Sequence, residues 1–128
     1  MPPKTLAIDF GTKRIGLAIS VATLADPYKI IPNNNESIAE IKKICDLENI
    51  KQILLGISEN IMAEKTKVFA SELEKQIKLP IIFFDETLSS KTVHDKLAHS
   101  HMKMKKRQKP IDHYAASEFL QEWLDGGE

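Results

Sequence analysis

Apolar and polar residues alternate with a period of two at the start of the chain and follow a helical period further on. Leu6-Ala7-Ile8-Asp9-Phe10 and Ile15-Gly16-Leu17-Ala18-Ile19-Ser20 flank the tip Gly11-Thr12-Lys13-Arg14. Two apolar runs joined by so short a tip predict a β-hairpin. Alternation puts Leu6, Ile8 and Phe10 on one face, with Ala7 and Asp9 on the other. Ala22 to Asn35 reads mostly as loop, broken by Pro27, Pro32 and the asparagine run, with a short edge strand over Tyr28 to Ile31. A helix follows, with Ser37 as its cap, Glu40 closing a capping box, and an apolar face of Ile38, Ile41, Ile44 and Cys45. The apolar run within Lys51 to Ile57, set between two helical patterns, predicts a buried parallel strand. Ala63 to Lys78 is helical, with Met62, Thr66, Phe69, Leu73 and Ile77 on one face, and Pro80 ends it. Ile81 to Phe84 is another buried strand, and Ser89 or Ser90 caps a helix to about Ala98. Ile111 to Leu124 is a closing helix with a stripe of Ile111, Tyr114, Ala115, Phe119, Leu120 and Trp123.

Helix and strand alternate in the middle of this order, which requires parallel pairing with right-handed crossovers. The opening hairpin adds antiparallel strands. The expected fold is α/β: a mixed five-stranded sheet, antiparallel through the first three strands and parallel from the first to the fourth and fifth, with helices on both faces. At 128 residues the chain is expected to form a single domain over 1–128.

Composition narrows the function classes. Lys plus Arg and Asp plus Glu both number 18, so the net charge is zero and any basic surface must come from placement. The single cysteine, Cys45, excludes an intramolecular disulfide and reads as a small core residue. Met1-Pro2-Pro3-Lys4 lacks a signal-peptide core, and no apolar run approaches the roughly 20 residues that span a bilayer. A cytoplasmic protein with no membrane partner is expected.

Three carboxylates lie at element ends beside apolar sequence: Asp9, Glu86 and Asp112. A carboxylate next to so much apolar surface is costly unless paired, hydrogen-bonded or bound to metal. In open α/β sheets, ligands gather beyond the carboxyl ends of parallel strands. Three acids gathered there repel one another, and a hard divalent cation relieves the repulsion. Two Mg²⁺ or Mn²⁺ ions about 3.5–4 Å apart would serve phosphodiester hydrolysis. Asp85 competes with Glu86, because neighbouring strand positions face opposite ways. The basic run includes Lys105, Lys106, Arg107 and Lys109 and adjoins Asp112. With Lys13 and Arg14 at the hairpin tip it is a candidate grip on a phosphate backbone.

These motifs resemble the YqgF/RuvX family of nucleases acting on precursor ribosomal RNA, formerly described as Holliday-junction-resolvase-like. The resemblance rests on Ile8-Asp9-Phe10-Gly11-Thr12-Lys13-Arg14-Ile15-Gly16, Ala25-Asp26-Pro27, Leu54-Leu55-Gly56, Asp85-Glu86-Thr87-Leu88-Ser89-Ser90 and the closing stretch Lys109 to Asp125. It implies an RNase H-like fold, catalytic acids at Asp9, Glu86 and Asp112, and cleavage at the ends of precursor 16S ribosomal RNA in ribosome biogenesis. The chain departs from the family pattern at Thr87, where arginine is usual, and over Ser58 to Ala63. A DNA junction resolvase is the alternative enzyme, with a stable two-fold dimer as its mark; the expectation here is a monomer or weak homodimer. A non-catalytic nucleic-acid-binding module would keep the basic run and need no metal. Asp9-Phe10-Gly11-Thr12 also fits the phosphate hairpin of actin-like ATPases, but no second such hairpin follows.

Overall fold

The computed structural model describes residues 3–57, 61–85 and 112–126, with backbone alone at 61, 62 and 112–114. Its five strands form one sheet: β1 (Thr5–Phe10), β2 (Arg14–Val21), β3 (Leu24–Pro32), β4 (Gln52–Ile57) and β5 (Ile81–Asp85). The order is β3-β2-β1-β4-β5. β2 is antiparallel to both β1 and β3, while β1, β4 and β5 are parallel. The mixed sheet expected from the hydrophobic pattern is therefore the one formed. The described helices are α1 (Ser37–Glu48), α2 (Ile61–Gln76) and α3 (Asp112–Leu124). No helix among the described residues is long and apolar enough to cross a membrane. The helix expected after Ser89 lies outside the described residues.

The period of two sorts the core onto two faces. Leu6, Ile8, Ile15, Leu17, Ile19, Ile53 and Leu55 pack with Ile41, Ile44 and Cys45 of α1 and Phe69, Ala70, Leu73 and Ile77 of α2. Phe10 joins this face, its ring 4.5 Å from that of Phe69. Each such side chain, fully buried, contributes about 1.5–3 kcal/mol. On the opposite face, among the described residues, Ala7, Ala18, Leu54 and Phe84 pack with Ala116, Phe119 and Leu120 of α3. Phe84 and Phe119 stack with ring centroids 5.5 Å apart. Ala116 is the buried alanine of α3, whereas the expected Ala115 is half-buried. Burial of Cys45 pushes its thiol pKa up to about 11, with a smaller contribution from Asp46, as befits a core residue.

Two expectations are corrected. β3 spans nine residues, not the four from Tyr28 to Ile31. It is an edge strand, where a proline need not break a ladder, and Pro27 sits beside a bulge. Lys29 pairs with Leu17 and Pro27 with Ala18, so Tyr28 is the extra residue. Ser37 is the first residue of α1 rather than its cap. Its hydroxyl donates to the Pro32 carbonyl and accepts from the Asn34 N–H, both at 2.8 Å, so the capping box does not form. Asn49 closes α1 instead, in the left-handed conformation that asparagine tolerates.

Candidate active site

Asp9 is the next-to-last residue of β1 and is half-buried. Alternation aims it to the α3 face, with Ala7 below it. Its cross-strand partner is Gly16, which adds no side chain to that face. Above it opens a cavity of about 230 Å³ lined by Asp9, Gly11, Thr12, Lys13 and Arg14. Thr12, Lys13 and Arg14 are exposed, so the mouth carries a hydroxyl and two cations around one acid. Thr12 was not among the expected site residues, although its place in the Gly-Thr-Lys-Arg tip was a usable signal.

The tip has a fixed shape. A Cβ on Gly11 would lie 2.6 Å from the Arg14 carbonyl oxygen, so only glycine fits this close approach. Asn33, just past β3, donates through Nδ2 to the Gly11 carbonyl at 2.7 Å. Its backbone N–H donates to the Lys13 carbonyl at 3.0 Å.

Register relates the other candidates to Asp9. Ile8 pairs with Leu55, and Leu55 with Phe83. Asp9, Phe84 and Asp85 therefore all lie just beyond one row, at the carboxyl ends of parallel strands. Ile82 and Phe84 belong to the α3 face, whereas Ile81 belongs to the α1–α2 face. Parity puts Asp85 with Ile81, on the opposite face from Asp9. Asp85 therefore does not share the face of Asp9. Glu86 lies outside the described residues, as do Lys105, Lys106, Arg107 and Lys109.

Asp112 is the first residue of α3, and its side chain lies outside the described residues. The far end of that helix is tied down. The Gln121 amide accepts from the Ala25 N–H at 2.8 Å and donates to the Thr23 carbonyl at 3.0 Å. Ala25 pairs with Ser20, whose hydroxyl accepts from the Thr5 N–H. The carboxyl end of α3 is thereby held near the amino end of β1. From Gln121 back to Asp112 the helix extends roughly 14 Å. From Thr5 to Asp9 the strand rises about 13 Å. Among the described residues no three acidic, histidine or cysteine side chains gather to hold a metal.

This α/β protein thus carries, at the carboxyl end of its first strand, a polar cavity that an acid and two cations line. The fold is RNase H-like. It matches Thermus thermophilus RuvC, solved in complex with a Holliday junction substrate, with a TM-score of 0.62 over 98% of this chain and 95% of that one, at 11% identity. The RuvX family model, described as Holliday junction resolvase, matches residues 3–126, and the chain belongs to that family. A relative from Maridesulfovibrio salexigens, named "Putative pre-16S rRNA nuclease", is 37% identical, with 94% of this chain and 97% of that protein covered. One from Malacoplasma penetrans under the same name is also 37% identical, covering 94% and 93%.

Proposed function

We propose that this protein is a cytoplasmic nuclease that hydrolyses phosphodiester bonds of structured nucleic acid, processing the ends of precursor 16S ribosomal RNA. The observation that carries this reading is the half-buried Asp9 on the floor of the polar cavity at the hairpin tip. Family membership and the names of the relatives support it.

In this reading Asp9, Glu86 and Asp112 form the catalytic set. The length of α3, tied at Gln121, is what the strand needs to bring Asp112 to the end of the sheet that carries Asp9. Glu86 follows Phe84 by two residues, the spacing that repeats a face along a strand. Oxygen donors of this kind suit a hard cation such as Mg²⁺ or Mn²⁺. When bound, the cation activates water and stabilises the departing oxygen. The chain's own cations have a separate task. Lys13 and Arg14, with Lys105, Lys106, Arg107 and Lys109, hold the phosphates that flank the scissile bond. Water adds to phosphorus, the bond to the 3′ oxygen breaks, and that oxygen takes a proton, leaving a 5′-phosphate and a 3′-hydroxyl.

The test incubates the protein with precursor 16S ribosomal RNA and, in parallel, with a four-way DNA junction, with and without Mn²⁺. Cleavage of the RNA that needs Mn²⁺ and is lost in Asp9→Asn is the expected result. Preference for the junction turns the assignment to a resolvase. Equal cleavage in excess chelator removes the metal-dependent mechanism.

A further inference from the structure

We propose that Asn33 is a positioning residue for the reaction, holding the hairpin tip so that Lys13 and Arg14 grip phosphate at a fixed distance from Asp9. This rests on the nuclease reading and adds to it a residue that touches neither the reacting atoms nor the substrate.

The β2–β3 ladder ends at the pair Arg14 and Pro32. Beyond it, residues 11–13 project with no strand beside them among the described residues. Asn33 takes over at that point. From one residue, two donors reach two carbonyls of the tip, Gly11 at 2.7 Å and Lys13 at 3.0 Å. Carbonyl oxygens repel a phosphate, so engaging two of them removes acceptors that would compete with it for the cations at the mouth. The same bonds fix the backbone from which Lys13 and Arg14 extend. Flexible cations on a loose loop lose orientation on binding, whereas a held backbone has already met that cost.

The brace stands on a rigid base. Ser37, at the start of α1 and almost fully buried, bonds to Pro32 and Asn34 on either side of Asn33. The Ser37 N–H also donates to the Asn34 carbonyl, and the Glu36 N–H to Asn34 Oδ1. The tip is thus connected to the helical layer through four consecutive bonds around one turn, and Asn33 is the link that crosses from that turn to the site.

An asparagine that merely closes a turn would support stability and nothing else. Salt dependence separates the two roles, because each phosphate contact adds about one to the slope of log affinity against log salt. Steady-state cleavage of a precursor 16S ribosomal RNA fragment in Mn²⁺ is measured between about 50 and 200 mM salt. The variants are Asn33→Leu, near in size but without the side-chain donor to Gly11 and keeping the backbone N–H to Lys13, and Asn33→Ala, which removes the side chain if leucine fails to fold. The expected result is a KM raised about five- to tenfold, the worth of one hydrogen bond. The kcat changes less than about twofold, and the slope of kcat/KM falls by about one. Lys13→Ala lowers the slope in the wild-type background and adds little in the Asn33 variants. A lowered Tm with KM and slope at wild-type values overturns the brace and leaves the nuclease reading intact. A wild-type protein that cleaves no RNA overturns the nuclease reading first.

Discussion

The two faces of the sheet use different side chains for different ends. Beneath α1 and α2 the central strands present leucine and isoleucine almost throughout, and two helices cover them. Beneath α3 the same strands present Ala7, Ala18 and Gly16, with Leu54 as the one large residue of the central strands. Small residues let α3 lie close to the sheet. At the carboxyl end of β1, Asp9 continues the row of Ala7 and borders the cavity at the hairpin tip. Among the described residues the α1–α2 face holds the larger buried cluster, and the α3 face is the one that carries the carboxylate of Asp9.

The sharpest way to break this comparison is at Asp9. Asp9→Asn is expected to lower cleavage by on the order of 10³-fold, while the Tm stays at the wild-type value, as read by a thermal melt on the assayed sample. A large loss of Tm would mean that the acid serves the fold. Next come matched substitutions on the two faces. Leu55→Ala should cost about 3 kcal/mol in urea unfolding, through a cavity under α2, with kcat of the folded fraction unchanged. Ala18→Leu should cost less, about 1–3 kcal/mol. By lifting α3 it should nevertheless reduce cleavage more than Leu55→Ala does. The opposite ordering of the two activities would erase the division of labour between the faces.

A smaller effect tests the helical layer by pH. The Cys45 thiol is held up to about 11 by burial, against an ordinary 9.0. The folded chain therefore keeps its proton where the unfolded chain has released it. Stability from this group is complete below pH 9 and is lost as pH rises toward 11. A Tm that falls over that window in wild type, and falls less in Cys45→Ala, is the expected outcome. The smallest effect is at Ala22, which turns the β2–β3 hairpin with φ of 59°. Ala22→Gly should stabilise by up to about 1 kcal/mol, since alanine is strained there.

How much of this was legible in the chain depends on range. The hairpin around Asp9 follows a period of two over adjacent residues, so its strands, faces and tip could all be read locally. The α1 and α2 faces follow from helical spacing for the same reason. The full length of β3 is not legible locally, because Pro27 and Pro32 look like breakers and only its place at the sheet edge makes them tolerable. Ser37 carried the local signature of a cap, yet its hydroxyl is spent on the preceding turn, a choice settled by the path of Pro32 to Asn34. Asn33 gave no local signal at all: its amide acts on a residue 22 positions earlier. The Asp85–Glu86 ambiguity was half resolvable, since parity needs a partner strand before it has an absolute direction.

The amide of Gln121 meets the Thr23 carbonyl and the Ala25 N–H as a neighbouring strand would. With Pro27 and the bulge at Tyr28 further along, the outer rim of β3 offers a second β-chain few successive backbone groups to pair with. A nuclease of this build is guarded against runaway sheet growth when crowded at high concentration. Gln121→Ala would expose that rim, and turbidity on prolonged storage would reveal it.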